Sequence, residues 1–474
     1  MRMRMNMPDR WRALGFIGPA AMVSVGYMDP GNWATDLEGG ARFGYQLMWV
    51  LLASNLIAVV LQSLAARLGV IGRMDLAQAC RAYYAKPVAM ALWLLCETAI
   101  IACDLAELLG GAIALNLLFG VPLAWGALIT GVDVMLILLL QHYGIRKLEA
   151  VVAVLVLTIG ACMGIEMLLV QPNWVAVAGG FVPRLDSASL FVAIGILGAT
   201  VMPHNLYLHS SLVQTRRIDA NPAAQREALR YNLLDTVLAL NIAFFINAAI
   251  LVLSASTFFS RGIVVNELQQ AHELLTPLLG TTLASTAFAI ALLCSGQSST
   301  ITGTLAGQVV MEGFINLRMS PIKRRLLTRS LAIVPAVAVL VTAGESGVLQ
   351  LLVLSQVVLS LQLPFAIVPL IRFTSAPRIM GAFASPPWLR RLATGATLLI
   401  IGLNGWLVMR ALTPADAADD GAAGLGRLAI GLAAVLCGAL LAWVAFAPLR
   451  TSGAGMPADE PQPRQVLDNP VPTN

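Results

Sequence analysis

Asp29 stands inside an apolar stretch, in the run Met28-Asp29-Pro30-Gly31-Asn32. An ionised carboxylate in such a setting costs about 2.5–3.5 kcal/mol on membrane-insertion scales, so it calls for a cation. Asn32 adds a neutral oxygen close by. A second interruption, Gly198-Ala199-Thr200-Val201-Met202-Pro203-His204, lies within an apolar run from about Leu190 to Leu212. Pro203 removes a backbone donor and clashes with the preceding turn, so the helix must break or kink near Val201. That break frees a carbonyl at Ala199 or one of its neighbours, and Met202 brings a polarisable thioether. Carboxylate, amide, carbonyl and soft sulfur together suit Mn²⁺, Fe²⁺ and related transition metals better than a hard ion alone. The expectation is that the two broken helices face each other and hold a divalent metal ion. The competing reading makes Asp29 a helix cap in a re-entrant loop, Met202 a packing residue and Pro203 a mere kink.

Other polar groups could move protons. The histidines are His142, His204, His209 and His272. His204 and His209 share the segment of the second break, and an ordinary histidine titrates near physiological pH. Five residues apart they stand about 140° around a helix, so they do not both face one ion. Proton handling or gating is expected of them, with structural hydrogen bonding as the alternative. Glu97, Asp104 and Glu107 share one helix, and their spacings place them on roughly one buried face. They read as a proton relay, or as partners for Arg324, Arg325 or Arg329 on a later span. Asn241, Asn247 and Gln356 are expected to be buried amides, more often interhelical glue than ligands. Cys80, Cys96, Cys103, Cys162, Cys294 and Cys437 show no CxxC spacing, so neither a zinc site nor a disulfide framework is indicated.

These residues need elements to hold them. Of 474 residues 58% are hydrophobic and 12% charged, against roughly 25% charged in soluble domains. The chain is a polytopic α-helical membrane protein. Its net charge of +5 does not point to nucleic acid, because the basic residues follow topology. Apolar runs predict spans near Leu14–Met28, Gln46–Leu68, Val88–Leu118, Pro122–Leu140, Leu148–Val170, the Pro203 segment, Leu233–Phe258, Leu279–Leu305, Leu326–Thr342, Val348–Ile371, Leu392–Leu412 and Leu425–Leu449. The first is short for a full crossing, which fits a half-helix before a break, and no cleavage site follows that would make it a signal peptide. Spans 1 and 6 are the interrupted ones. That interval is expected when five helices are repeated in inverted topology, with substrate bound between the first helices of each repeat. The expected organisation is a cytoplasmic N-terminal segment 1–12, a transporter core 13–373, additional C-terminal spans 390–449 and a disordered tail 450–474. Lys and Arg alternate between loops, as at Arg146 and Lys147 or Lys323 to Arg325. This puts the N-terminus in the cytoplasm, and the loop with Asp416, Asp419 and Asp420 on the other side.

Asp29-Pro30-Gly31-Asn32 and Met202-Pro203-His204 resemble the paired signatures of the Nramp family of divalent metal transporters. The stretch Gly296-Gln297-Ser298-Ser299-Thr300-Ile301-Thr302-Gly303-Thr304-Leu305-Ala306-Gly307-Gln308 is similar to that family's transport motif, and Asp104-Leu105-Ala106-Glu107 also matches. The similarity runs from about Leu14 to Pro369. It implies an all-α LeuT-like fold of about 11–12 spans with broken helices 1 and 6. It implies proton-coupled import of Mn²⁺ or Fe²⁺, with Cd²⁺ also accepted, across the cytoplasmic membrane, and no enzyme activity. Carried over, Asp29, Asn32, the Ala199 carbonyl and Met202 would bind metal. Asp104, Glu107, Glu97, His204 and Arg324, Arg325 and Arg329 would form the proton path. Tyr27, His209, Asn247 and Gln356 would gate the site or support its ligands. Relatives that carry Mg²⁺ or Al³⁺ lack the methionine present here as Met202. No prosthetic group, nucleic acid or obligate protein partner is implied; metal, protons and lipid are. A sodium-coupled amino-acid symporter of the same fold is the alternative, and the buried Asp29 argues against an anionic substrate. An intramembrane metallo-enzyme would need a zinc set that four scattered histidines do not supply.

Overall fold

The structure is a computed structural model that describes residues 18–141, 145–216, 218–219, 221–265, 267–316, 321–342, 346–413 and 421–450. His142, the acidic loop at Asp416, Asp419 and Asp420, the N-terminal segment 1–12 and the tail from 451 lie outside the described residues.

Helix α1 (Pro19–Ser24) gives way to a 3-10 turn at Gly26–Met28 and an extended Asp29, after which α2 (Pro30–Phe43) begins. Pro30 takes the first position of α2, where its missing N–H would lack a partner anyway. Helix α3 (Met48–Arg67) follows, then the short amphipathic α4 (Leu76–Tyr83), opened by a reciprocal cap between Asp75 and Gln78. The long apolar helices α5 (Lys86–Phe119), α6 (Leu123–Gln141) and α7 (Ile145–Val170) come next, then the short α8 (Trp174–Gly179). The second broken pair is α9 (Ser189–Thr200) and α10 (Pro203–Leu212). Helices α11 (Pro222–Thr257), the short α12 (Leu268–Leu279), α13 (Thr282–Ile315), α14 (Pro321–Thr342) and α15 (Ser346–Ser375) complete the core. The one-turn α16 (Pro377–Met380), α17 (Pro387–Leu412) and α18 (Gly421–Phe446) close the described chain.

Most helices fall within a few residues of the apolar runs. Two are longer than hydropathy shows. Helix α11 starts at Pro222, well before Leu233, because Asn221 caps it by accepting the Ala224 N–H at 2.7 Å and the polar first turns lie outside the apolar run. Helix α13 continues past Leu305 to Ile315. Eight helical stretches among the described residues are long and apolar enough to cross a membrane, and one of these, Pro30–Gly72, contains both α2 and α3.

The core sits around the two breaks. Helix α2 packs on α9 and α11, α13 packs on α5 and α7, and α15 packs on α5 and α9. Helices α17 and α18 lean on α15 from outside. They expose Leu398, Leu399, Leu428, Val435 and Leu436, a surface that would drive association in water and suits acyl chains.

Candidate metal centre

Asp29 and Met202 occupy equivalent places. Each is the extended residue before a proline that starts a half-helix, and each has no solvent exposure. The Asp29 Oδ1 accepts the Asn32 backbone N–H at 2.8 Å and the Asn32 side-chain amide at 2.7 Å. Asp29 is therefore a helix cap, as the competing reading had it, and its position supplies more than a cap. The same Asn32 Nδ2 also donates to the Ala199 carbonyl at 3.2 Å and the Gly26 carbonyl at 3.3 Å. Three oxygens, one from α2's cap, one from the end of α9 and one from the turn after α1, thus converge on a single nitrogen. A Cβ added at Gly26 would stand 3.3 Å from Met202 Sδ, so the thioether borders that same backbone.

Helix α15 presses on both breaks through one residue. A side chain at Gly31 would meet Gln356 Nε2 at 1.8 Å, and one at Gly198 would meet the Gln356 carbonyl at 2.1 Å. Asn247 on α11 donates to the Tyr27 carbonyl at 2.7 Å and to Asn32 Oδ1 at 3.4 Å. The amide oxygens of Asn205, Asn247 and Gln356 are buried without a hydrogen-bond donor. Buried acceptors in that condition are costly unless something else meets them. Among the described residues no three His, Cys, Asp or Glu side chains gather closely enough to hold a metal. A site at the breaks must draw on amide, carbonyl and thioether groups beside one carboxylate.

The carboxylates of α5 divide. Asp104 and Glu107 are fully buried, and Glu107 Oε2 accepts from Thr300 Oγ1 at 3.1 Å, within the motif stretch of α13. Glu97 departs from the expected buried face: it is only half-buried and accepts from Trp93 Nε1 at 3.1 Å, because a helix this long carries its outer turns toward the periphery. Asn241 is likewise half-buried and bonds within its own helix, to the Val237 carbonyl. His204 is buried with no partner at Nδ1. His209 Nδ1 lies 2.9 Å from Gln62 Oε1, and Gln62 Nε2 donates to the Tyr27 hydroxyl at 2.7 Å. His209 and Tyr27 are thereby joined through a residue that sequence reasoning missed. The side chains of Arg324, Arg325 and Arg329 lie outside the described residues, though their backbone belongs to α14. Asp36 was also missed; it is buried two turns beyond Asp29 on α2, and its Oδ2 has no partner.

The two ends of the bundle differ. At one, Asp235 of α11 accepts the Ala20 N–H at 2.9 Å and the Gly18 N–H at 3.3 Å, and Arg216 pairs with Glu149 at 2.6 Å, so α1 is tied down. At the other, a vestibule of about 800 Å³ opens between Glu38, Arg42, Glu267, Gln269, Glu273 and Leu349.

Residues 20–410 match the model of the family described as Nramp, natural resistance-associated macrophage protein-like. The chain belongs to the Nramp family. It is a membrane transporter and not an enzyme. Among its relatives is a protein of Xanthomonas campestris named divalent metal cation transporter MntH, 59% identical over 83% of this chain and 90% of that one. A Nostoc protein of the same name is 54% identical over 86% of this chain and 93% of its own length. A crystal structure of a manganese transporter mutant from Eremococcus coleocola superposes with a TM-score of 0.85 at 35% identity, covering 94% of this chain and 96% of that one. The inward-facing structure of Mhp1 matches at a TM-score of 0.52 and 13% identity over 83% of this chain and 91% of its own, a likeness of fold alone. This Nramp chain thus has the LeuT-like arrangement, two inverted five-helix repeats each begun by a broken helix, with further C-terminal helices.

Proposed function

We propose that this protein imports divalent transition metal, Mn²⁺ or Fe²⁺ with Cd²⁺ also accepted, across the cytoplasmic membrane by proton-coupled alternating access. The observation that carries the reading is the convergence of Asp29 Oδ1, the Ala199 carbonyl and the Gly26 carbonyl on Asn32 Nδ2. The partly positive amide holds together oxygens that a cation would draw together more strongly. Rotation of the Asn32 amide would turn its own oxygen inward and complete the set, with Met202 bordering it. Mg²⁺ and Ca²⁺ prefer all-oxygen shells, and Mg²⁺ sheds water reluctantly, so a thioether wall disfavours both. The names of the relatives fit this cargo. Helix ends support it electrostatically: α9 points the negative end of its dipole at the site through the Ala199 carbonyl.

In this reading the acidic vestibule faces outside and collects cations, while the Asp235 and Arg216–Glu149 contacts close the cytoplasmic end. The N-terminus is cytoplasmic, residues 13–373 form the transporting core, and 390–449 add spans at its edge. Protons leave the site through Asp104, Glu107 and His204, with Glu97 and the α14 arginines Arg324, Arg325 and Arg329 further along. Tyr27, Gln62 and His209 hold the inner gate, with Asn247 and Gln356 beside the ligands. No prosthetic group or obligate protein partner is required. A sodium-coupled amino-acid symporter would place a substrate carboxylate against Asp29, a like charge.

The test is uptake of Mn²⁺, Fe²⁺, Cd²⁺, Mg²⁺ and Ca²⁺ into proteoliposomes at two external pH values, with a pH dye inside. Transition-metal flux that rises as the external medium is acidified, with inward proton movement, is expected. Asp104→Asn should weaken metal-driven proton entry more than metal binding. Amino-acid flux without metal flux, or equal proton flux in parent and Asp104→Asn vesicles, would overturn the corresponding part.

A further inference from the structure

We infer that Cys103 gives the cargo a second sulfur beside Met202 and so sets the preference for thiophilic ions. This rests on the metal-site reading above. Cys103 lies on α5, almost fully buried. Its Sγ stands 4.0 Å from Asp29 Oδ2 and 3.8 Å from Glu107 Oε1. Asn32 occupies the other Asp29 oxygen, Oδ1, so Oδ2 is the one that faces the thiol. Transition-metal bonds of about 2.0–2.2 Å to oxygen and about 2.3 Å to sulfur let two donors on one ion stand up to about 4.5 Å apart. The observed Asp29–Cys103 separation falls inside that span without movement of either helix.

A second observation places both sulfurs on one wall. Ala99, Cys103, Met202 and Leu359 form a single buried contact cluster, separate from the main core. Glu107 does not complete a three-residue metal cluster with them, and its other oxygen is held by Thr300. Cys103 is therefore an addition to Asp29, Asn32 and Met202: it coordinates as thiolate, its S–H bond breaking and the proton passing to Glu107 Oε1, 3.8 Å from Sγ. Thioether alone favours borderline ions; thioether with thiolate shifts the balance toward Cd²⁺. As a structural group the thiol is poor: sulfur is a weak donor and acceptor, and its contacts to the carboxylates are long.

The test counts sulfur neighbours around Cd²⁺ by X-ray absorption on the purified full chain. Two are expected in the parent and one each in Cys103→Ser and Met202→Leu; Cys103→Ala serves as a second variant should serine disturb folding. In transport, Cys103→Ser should raise the Cd²⁺ concentration needed to block Mn²⁺ uptake about tenfold more than it raises the Mn²⁺ KM. One sulfur in the parent, unchanged in Cys103→Ser, removes Cys103 from the ion. Cd²⁺ and Mn²⁺ binding that survives Asp29→Ala undiminished would instead overturn the site at the breaks.

Discussion

The two breaks use one backbone device and two chemistries. Asp29 has φ −68° and ψ 167°, and Met202 has φ −65° and ψ 122°, both extended as a residue before proline must be. At the first break that residue carries a hard charged oxygen, which also caps α2. At the second it carries a neutral sulfur, and α10 begins with no side-chain cap. Proline fixes where the chain opens; the residue before it decides which donor the opening presents. Because Asp29 does two things and Met202 does not cap, the two positions respond differently to substitution.

Asp29→Ala removes charge and cap together, and Mn²⁺ binding measured by calorimetry should fall more than about 100-fold, since even outer partners of metal ligands are worth about 10–100-fold. Asp29→Asn separates the two roles, because asparagine caps as well as aspartate. It should keep the parent's thermal stability and still fail to transport. Transport retained by Asp29→Asn would make the cap, and not the charge, the reason for this residue.

The glycines beside the breaks sharpen the contrast. An alanine Cβ at Gly198 would meet backbone, the Gln356 carbonyl at 2.1 Å and the Ser360 nitrogen at 2.9 Å. At Gly31 it would meet the end of the Gln356 side chain, which can swing away. Overpacking against an unyielding wall costs about 1–3 kcal/mol or more. Gly198→Ala should therefore lower the melting temperature in detergent clearly more than Gly31→Ala. Equal shifts would mean that α15 yields as a whole. Met202→Ala should act on ratios: Mn²⁺ uptake persists more weakly, while millimolar Ca²⁺ and Mg²⁺ become competitors. A uniform drop for every ion would leave Met202 a packing residue.

Sequence showed the breaks because proline and a lone carboxylate contradict their apolar surroundings, and those contradictions are local. It also placed Glu107 on the same helix as Asp104. It did not show that Gln62 joins His209 to Tyr27, because a single glutamine in an apolar helix looks the same whether it meets lipid-side carbonyls or a histidine. Asp36 escaped for a related reason: it lies so near Asp29 that one carboxylate accounted for the segment. Cys103 was grouped with the other cysteines, and only the approach of α5 to the first break distinguishes it. Glu97 was overread, since periodicity gives a face and not the depth to which that face is covered.

The half-helices at the closed end are also tied differently. Helix α1 is held by Asp235 through backbone N–H groups, whereas α10 is held through Ser210, whose Oγ accepts the Leu76 N–H at 2.9 Å. Leu76 follows Asp75, the cap of α4, which accepts the Gln78 N–H at 2.8 Å. Asp75 lies outside the spans and is 4% exposed, and burial raises its carboxyl to about 7 against the N–H groups of Gln78 and Ala77. If this end opens, as the proposed alternating access requires, and Asp75 reaches water, its pKa returns to about 4. The sign follows from proton binding: between about pH 4 and about 7 the closed arrangement holds a proton that the open one has lost, so raising pH weakens closure. Above about 7 both are ionised and the effect is complete. Asp75→Asn keeps the cap and cannot ionise. Hydrogen exchange at the Ala79–Tyr83 backbone amides of α4, taken as the ratio of parent to Asp75→Asn so that the intrinsic pH dependence of exchange cancels, should rise from pH 5 to pH 7 and then level. A flat ratio would show that Asp75 stays with its cap in both arrangements and that the α10 tie does not respond to acid.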